Sequence, residues 1–238
     1  MGEERCGGKT LSNIRLNFIV EGQTEETFVN KQLVPHLAQK RSIWAFVRCV
    51  QTSRKRNIKY RGGLGRYAQA RGDISKWMRQ ESGCDVRFTT MFDLFRLPVD
   101  FPGYGGAVSE PDPSRRVTAL ENAMLKDIGD NRLVPYIQVH EFEALVLADP
   151  QELSKDYPES ESGVRRLVEM AARFPSPELI NGDPETAPSK RIKREIPTYV
   201  KRTSGLNVTK RIGLPKLRAK CPHFGAWLDK LESLESSV

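Results

Sequence analysis

Apolar and polar positions alternate along this chain with two clear periods. Leu16 to Val20 is an apolar run that stops at Glu21 and Gly22, and an acid-rich helical pattern starts within four residues, from Glu25 to about Gln39. This reads as a strand turning sharply into a helix, with Phe28, Gln32 or Leu33, and Leu37 inward and Pro35 as a candidate kink. Ile43 to Val50, β-branched and aromatic, predicts a second strand, and Gln51 to Leu64 a basic, glycine-containing loop. Tyr67 to Gln80 predicts a helix, Asp85 to Phe92 a third strand ending at Asp93, and Ser114 to Ile128 another helix. Between them, Leu94 to Pro113 is rich in Pro and Gly, and a loop of that length is usually functional or disordered. Leu133 to Val139 predicts a fourth strand and Phe142 to Ala148 a helix.

The alternation of strands and helices argues for an α/β fold with a sheet of about four mainly parallel strands, flanked by helices and joined by right-handed crossovers. Beyond Asp149 short helical patterns replace it, at about 150–153, 162–173, 188–201 and 224–233. The expected organisation is a disordered lead over 1–14, an α/β domain over 15–150, and a basic helical region over 151–238 packed on it.

Charge changes this picture through its placement. The net charge is +8, but Arg54 to Arg71 carries seven basic residues and no acid, and Pro188 to Lys220 carries eleven against Glu195 alone. Those windows give +7 and +10, so the rest of the chain carries −9. Such separation points to a polyanion for the basic parts and a cation site among the acids. The expected nucleic-acid contacts are Arg54, Lys55, Arg56, Lys59, Arg61 and Arg66, with Lys190, Arg191, Lys193 and Arg194. Tyr67, Phe95, Tyr104 and Tyr199 are candidates for base stacking, with core packing as the alternative for each.

Other chemistries find little support. The glycine-rich stretch from Arg61 to Arg66 lacks the Lys-Ser/Thr ending of a phosphate loop. Cys6, Cys49, Cys84 and Cys221 are scattered without zinc-ligand spacing, which suits a reducing, cytoplasmic compartment. The amino terminus has no h-region of a secretory signal, and no apolar run approaches the about 18 residues of a membrane span. No Ser/His/Asp or Cys/His nucleophile set is legible.

The acids carry the candidate chemistry. Glu21, Asp93 and Glu141 each end a predicted strand, and parallel strands bring their carboxyl ends to one edge, where ligands bind. Carboxylates gathered there need a cation, and hard oxygen donors suit Mg²⁺ or Mn²⁺. Glu21, Asp93 and Glu141 are the expected metal ligands. Glu25 is one helical turn away. Glu141 and Glu143 are about 200° apart on a helix, so one of the two should face the site, with Glu141 nearer the strand end. The alternative is that these acids are ordinary turn residues facing water. His140 is a candidate base or ligand, with a hydrogen-bonded packing role as its alternative.

Glu21-Gly22-Gln23-Thr24-Glu25 and Phe92-Asp93-Leu94-Phe95 resemble the TOPRIM fold of topoisomerases, primases and OLD-family nucleases. With Val139 to Leu145, Pro188 to Arg191 and Cys221 to Trp227, the chain is similar to bacterial TOPRIM-like proteins encoded beside an ABC/SMC-type ATPase. The resemblance implies a metal-dependent nuclease acting on DNA or RNA, the effector of an anti-phage defence system with that ATPase as partner. It implies that Glu21 and Glu25 match the first acidic motif and Asp93 the first acid of the Asp-x-Asp pair. Phe95 stands where the second Asp would be, so Glu141 or Glu143 must complete the set. Lys190, Arg191 or the basic residues from Arg54 to Arg66 would offset charge on the phosphate. A non-catalytic nucleic-acid-binding or sensor subunit of the ATPase complex is the alternative; primase-type nucleotidyl transfer lacks a visible template-binding or zinc element.

Overall fold

The computed structural model describes residues 14–41, 43–55, 58–61, 64–83, 85–180 and 186–235. The proposed lead up to residue 13, Cys84 and Arg56 lie outside them.

The chain forms an α/β fold around a parallel sheet. β1 (Arg15–Val20) is nearly all apolar and buried, as a strand covered on both faces must be. It turns at Glu21-Gly22 into α1 (Gln23–Phe28), which passes through a π-helical turn at Val29–Leu33 into α2 (Val34–Arg41). Pro35, lacking an N–H, cannot close the i→i−4 bond back to Lys31, and the widened turn sits where that bond is missing. β2 (Trp44–Cys49) follows. The segment expected to be a loop after it is instead a two-stranded antiparallel hairpin, β3 (Gln51–Lys55) with β4 (Ile58–Arg61). β3 lacks the apolar alternation that marks a half-buried strand, and the alternation of Ile58 and Tyr60 in β4 is too short to mark one inside a basic stretch.

α3 (Tyr67–Gln80) and β5 (Val86–Asp93) lie where the pattern puts them. The Pro/Gly-rich stretch is ordered: it buries Leu94, Leu97 and Phe101, includes the short α4 (Tyr104–Ala107), and ends at Asp112. The Asp112 carboxylate accepts the N–H groups of Ser114 and Arg115 and so caps α5 (Pro113–Ile128), with Pro113 at its first position. The expected fourth strand is divided into β6 (Leu133–Val134) and β7 (Ile137–Gln138), because Pro135 donates nothing to a ladder. Thr90 bridges the break: its hydroxyl accepts the Tyr136 N–H at 2.8 Å and donates to the Tyr136 carbonyl at 2.9 Å.

The strand order is β2-β1-β5-β6, with β7 also on β5, and every pairing in this sheet is parallel. Val20 is level with Cys49 on one side and Met91 on the other, and Asp93 is level with Gln138. The residues that follow these strands therefore share one edge.

α3 and α5 cover one face of the sheet with Ile74, Trp77, Val117 and Met124. The other face packs on α1, α2 and the carboxyl-terminal helices, whose Phe224, Trp227 and Leu228 share a core with Leu16, Phe18 and Phe28. After α6 (Glu143–Val146), a single turn where a longer helix was expected, come α7 (Glu161–Ala171) and α8 (Pro188–Glu195). α8 stops short of the expected Lys201, before Pro197, which disfavours helix at the residue ahead of it. A π-helical turn (Lys201–Gly205), α9 (Leu206–Ile212), α10 (Leu214–Lys220) and α11 (Pro222–Glu232) complete the chain. Tyr136 lies flat against Trp227, ring centroids 4.0 Å apart, and the Trp227 indole donates to Thr89 of β5 at 2.8 Å. No helix among the described residues is long and apolar enough to cross a membrane.

α7 meets the end of α8 at Gly163, where a Cβ would collide with the Glu195 carbonyl. Gly163→Ala should destabilise the protein by about 1–3 kcal/mol through overpacking. Gly72→Ala, on the exposed side of α3 with open space around it, should leave stability unchanged or raise it by up to about 1 kcal/mol. Thermal melts of the two variants check the contrast; equal midpoints would show that α7 and α8 are not pressed together at Gly163.

Candidate functional site

The shared carboxyl edge gathers Glu21, Glu25, Asp93, Glu141 and Glu143, all buried. Each arrives by a different local route. Glu21 follows β1, and its side chain reaches across to accept the Asp93 N–H at 3.1 Å. Glu25 stands in the first turn of α1, and Asp93 ends β5.

Glu141 and Glu143 follow β7 through a turn at His140, whose φ of 63° lies in the left-handed region that non-glycine residues seldom adopt. The His140 carbonyl accepts the Phe95 N–H at 3.0 Å, and the two rings stack with centroids 5.2 Å apart. Among the described residues neither His140 ring nitrogen has a hydrogen-bond partner of ordinary geometry. Burial lowers its pKa to about 4, with the nearby Glu178 backbone opposing it and the charge of Arg116 adding to it, so the ring is neutral at physiological pH. Because α6 begins only at Glu143, the expected opposition of Glu141 and Glu143 around a helix does not hold, and both carboxylates are buried at the edge.

The residue that organises the acids is Lys201, which the sequence reading did not single out. Its ammonium lies 3.3 Å from Asp93 Oδ2, 3.3 Å from Glu143 Oε2 and 3.4 Å from Glu25 Oε1. Burial works against its charge, but the carboxylates of Asp93, Glu143, Glu25 and Glu141 outweigh that and hold its pKa above that of a free lysine. Glu141 itself accepts the Ser189 N–H at 2.6 Å, at the start of α8. Thus Glu143, and not Glu141, meets the central ammonium.

One ammonium does not neutralise this many acids. Burial, joined by the charges of Asp93 and Glu25, pushes Glu21 up to about 8. Burial raises Glu25 as well, with Asp93 adding to it. Burial also moves Glu143 to about 7, against the pull of Lys201. Asp93 Oδ1 is buried without a hydrogen-bond partner among the described residues. These are hard oxygen donors short of positive charge, which is the chemistry that takes Mg²⁺ or Mn²⁺. Among the described residues no group of three or more His, Cys, Asp or Glu side chains is disposed to hold a metal ion as it stands. Lys201 takes the position between Glu25, Asp93 and Glu143. Glu21 and Asp93 Oδ1 are the donors it leaves over.

The other candidates lie apart from this centre. Lys190 is exposed on α8, next to the Ser189 N–H that holds Glu141. Arg191 is partly buried and donates to the Thr186 carbonyl at 2.7 Å, while Lys193 and Arg194 are exposed. Arg66 is exposed before α3, and Arg54, Lys55, Lys59 and Arg61 belong to the β3–β4 hairpin. Tyr67 and Tyr199 are buried in the core and cannot stack on bases. Phe95 and Tyr104 are partly buried.

The proton balance fixes a pH dependence. Glu21 and Glu143 keep protons in the folded chain up to about 8 and about 7, whereas the unfolded chain gives them up near 4.5. The folded state binds more protons across that window, so their contribution to stability is full below it and is lost as pH rises. In chelator, the wild-type melting temperature should fall between pH 5 and pH 8 more steeply than that of Glu21→Gln. Lys201→Met should cost about 3–5 kcal/mol near neutral pH, where it strands buried carboxylates, and less in acid. Parallel pH profiles for wild type and Glu21→Gln would contradict this account.

No curated protein and no solved structure matches the chain. A family of domains of unknown function, DUF4276, matches residues 20–232, a span running from the end of β1 through α11 and including the whole acid cluster with Lys201. The chain belongs to the DUF4276 family.

Proposed function

We propose that this protein is a divalent-metal-dependent nuclease that hydrolyses phosphodiester bonds in DNA or RNA. The observation that carries the reading is the buried carboxylate cluster at the carboxyl edge of a parallel sheet, which holds more acid than its one ammonium balances. Glu21 and Asp93 would hold Mg²⁺ or Mn²⁺, whose chemistry there is to polarise a phosphate oxygen and acidify a bound water. In hydrolysis the water oxygen bonds to phosphorus, the ester P–O bond breaks, and the leaving oxygen takes up a proton. Glu143, titrating at about 7, is suited to receive the proton that the water loses. Lys201 offsets the charge that builds on the phosphate oxygens, and Glu25 helps keep it ionised. Exposed Lys193 and Arg194 supply charge for the polynucleotide backbone. The resemblance to TOPRIM-like proteins supports a separate ABC/SMC-type ATPase as partner and a role in anti-phage defence.

A second reading is a non-catalytic nucleic-acid-binding or sensor subunit. It is favoured by Phe95 two residues after Asp93, and by Lys201 standing where several carboxylate oxygens could otherwise meet a metal. Supercoiled plasmid and single-stranded RNA, each incubated with Mg²⁺ or Mn²⁺ and with EDTA, separate the two. The nuclease reading expects cleavage that EDTA stops and that Glu21→Gln and Asp93→Asn reduce on the order of a hundredfold or more, with nucleic-acid affinity intact. Binding without divalent-dependent cleavage would leave the sensor reading, and full activity in both variants would remove the acids from the chemistry.

A further inference from the structure

β2 carries an exposed strip that the acid cluster does not explain. Trp44 is 65% exposed and Phe46 45%, and Arg48 is exposed beyond them on the same face of the strand. The Arg15 guanidinium, itself tied to Glu81 at 2.7 Å, lies 4.4 Å above the Phe46 ring and leaves that residue substantially exposed. Arg48 lies over the Trp77 ring of α3 at 4.0 Å, where a cleft of about 190 Å³ opens with Lys76 and Gln80 among its lining residues. β2 is the edge strand of the sheet, and the β3–β4 hairpin follows it directly. From Ile43 to Lys76 the sequence has nine Lys and Arg against one acid, Asp73.

We infer that this face of β2 is a stacking platform for single-stranded nucleic acid, an inference that rests on the nucleic-acid part of the proposed function. Side chains two apart on a strand face the same way at a spacing of about 7 Å, so Trp44 and Phe46 offer successive ring surfaces. A single strand can lay unpaired bases on them, whereas a duplex keeps the faces of its bases stacked inside. Arg48, next along the strip, and Lys76 line the adjoining cleft, with Asp73 as its one acid, and offer charge for phosphates. The strip also has a direction: β2 runs from Trp44, level with Arg15, to Cys49, level with Val20, the residue before Glu21. A strand laid along it is led toward the acid edge.

The competing occupant of an exposed edge strand is a second copy of the chain. A two-fold pairing would bring the same surface onto itself, and with it the same Arg48, Lys76 and basic hairpin. Like charges brought face to face oppose such a dimer, while a polyanion is drawn to them.

The test uses the tryptophans and needs no metal. Trp77 and Trp227 are buried, leaving Trp44 as the exposed indole. In EDTA, titration with oligo-dT or oligo-U should quench fluorescence, and Trp44→Ala should lose that quenching. Trp44→Ala and Phe46→Ala should each weaken single-strand binding about tenfold or more, whereas Trp44→Tyr should restore most of it. A duplex of equal length should bind with little dependence on Trp44. If both alanine variants bind single strands as wild type does, the platform is wrong and the nuclease reading stands. If wild type binds no polynucleotide, both fall together. A wild-type dimer in light scattering that Trp44→Ala breaks apart would assign the face to a second copy and overturn the inference.

Discussion

The structure depends on one partly buried ammonium, that of Lys201. Parallel strands deliver Glu21 and Asp93 to a common edge whatever their charge, and the turns after β1 and β7 add Glu25, Glu141 and Glu143. Like charges gathered out of water would repel and shed their ionisation. Lys201 enters from the carboxyl-terminal part of the chain and links α1, β5 and α6 through Glu25, Asp93 and Glu143. Its placement needs the π-helical turn that it begins, and that turn ends at Gly205, where a side chain would meet the Tyr199 hydroxyl and the Phe142 ring. The carboxyl-terminal helices therefore complete the edge as well as cover the sheet.

A second buried polar assembly makes the same connection on firmer terms. Glu178 accepts the N–H groups of His223 and Phe224 at 2.9 and 3.0 Å, which satisfies the start of α11 from a distant segment. His223 stacks on Tyr136 and pairs with Glu121 of α5 at 2.8 Å, while Glu121 also accepts the Ile137 N–H. Here each charged group has identified partners. At the acid edge Asp93 Oδ1 has none among the described residues, and burial pushes the carboxyls of Glu21 and Glu143 up to about 8 and about 7. Two clusters of similar burial thus differ in how completely they are satisfied. Incomplete satisfaction is expected where a site must accept a ligand, because a fully paired network leaves nothing to exchange.

The frame of the site was legible in sequence because it follows from period and topology. Leu16 to Val20 and Val86 to Phe92 read as buried strands, and parallel strands put Glu21 and Asp93 at one edge without knowledge of any contact. Lys201 was not legible, because its partners lie about 60 to 175 residues away and nothing local marks it. It sat within a basic window that reads as a polyanion surface. The helical angle between Glu141 and Glu143 misled because the helix starts at Glu143, and a left-handed His140 cannot be anticipated from neighbours with no glycine among them. Pro135 did mark the division of the fourth strand, but a short apolar run with a proline in it also reads as one edge strand.

The same tertiary placement changes what the carboxyl-terminal basic window can do. Besides Lys201, Arg211 is paired with Glu152 at 3.1 Å and Asp156 at 2.9 Å, Lys216 with Asp149, and Arg218 with Asp229 and Glu232. A cation held by a carboxylate gains less from a phosphate, since one pairing is exchanged for another and fewer counterions are released. The acids that balance these residues come from 149–156 and 229–232, outside the window in which the charges were counted. Its formal charge therefore overstates its pull on a polyanion. What remains for the backbone of a nucleic acid includes exposed Lys193 on α8, the helix whose Ser189 N–H meets Glu141, and exposed Arg202, Lys210 and Lys220 beyond it. Arg194 pairs with Glu195 at 3.5 Å. Within this one window some basic residues thus face outward, while Lys201, Arg211, Lys216 and Arg218 are engaged by carboxylates that tie the carboxyl-terminal helices to one another and to the rest of the fold.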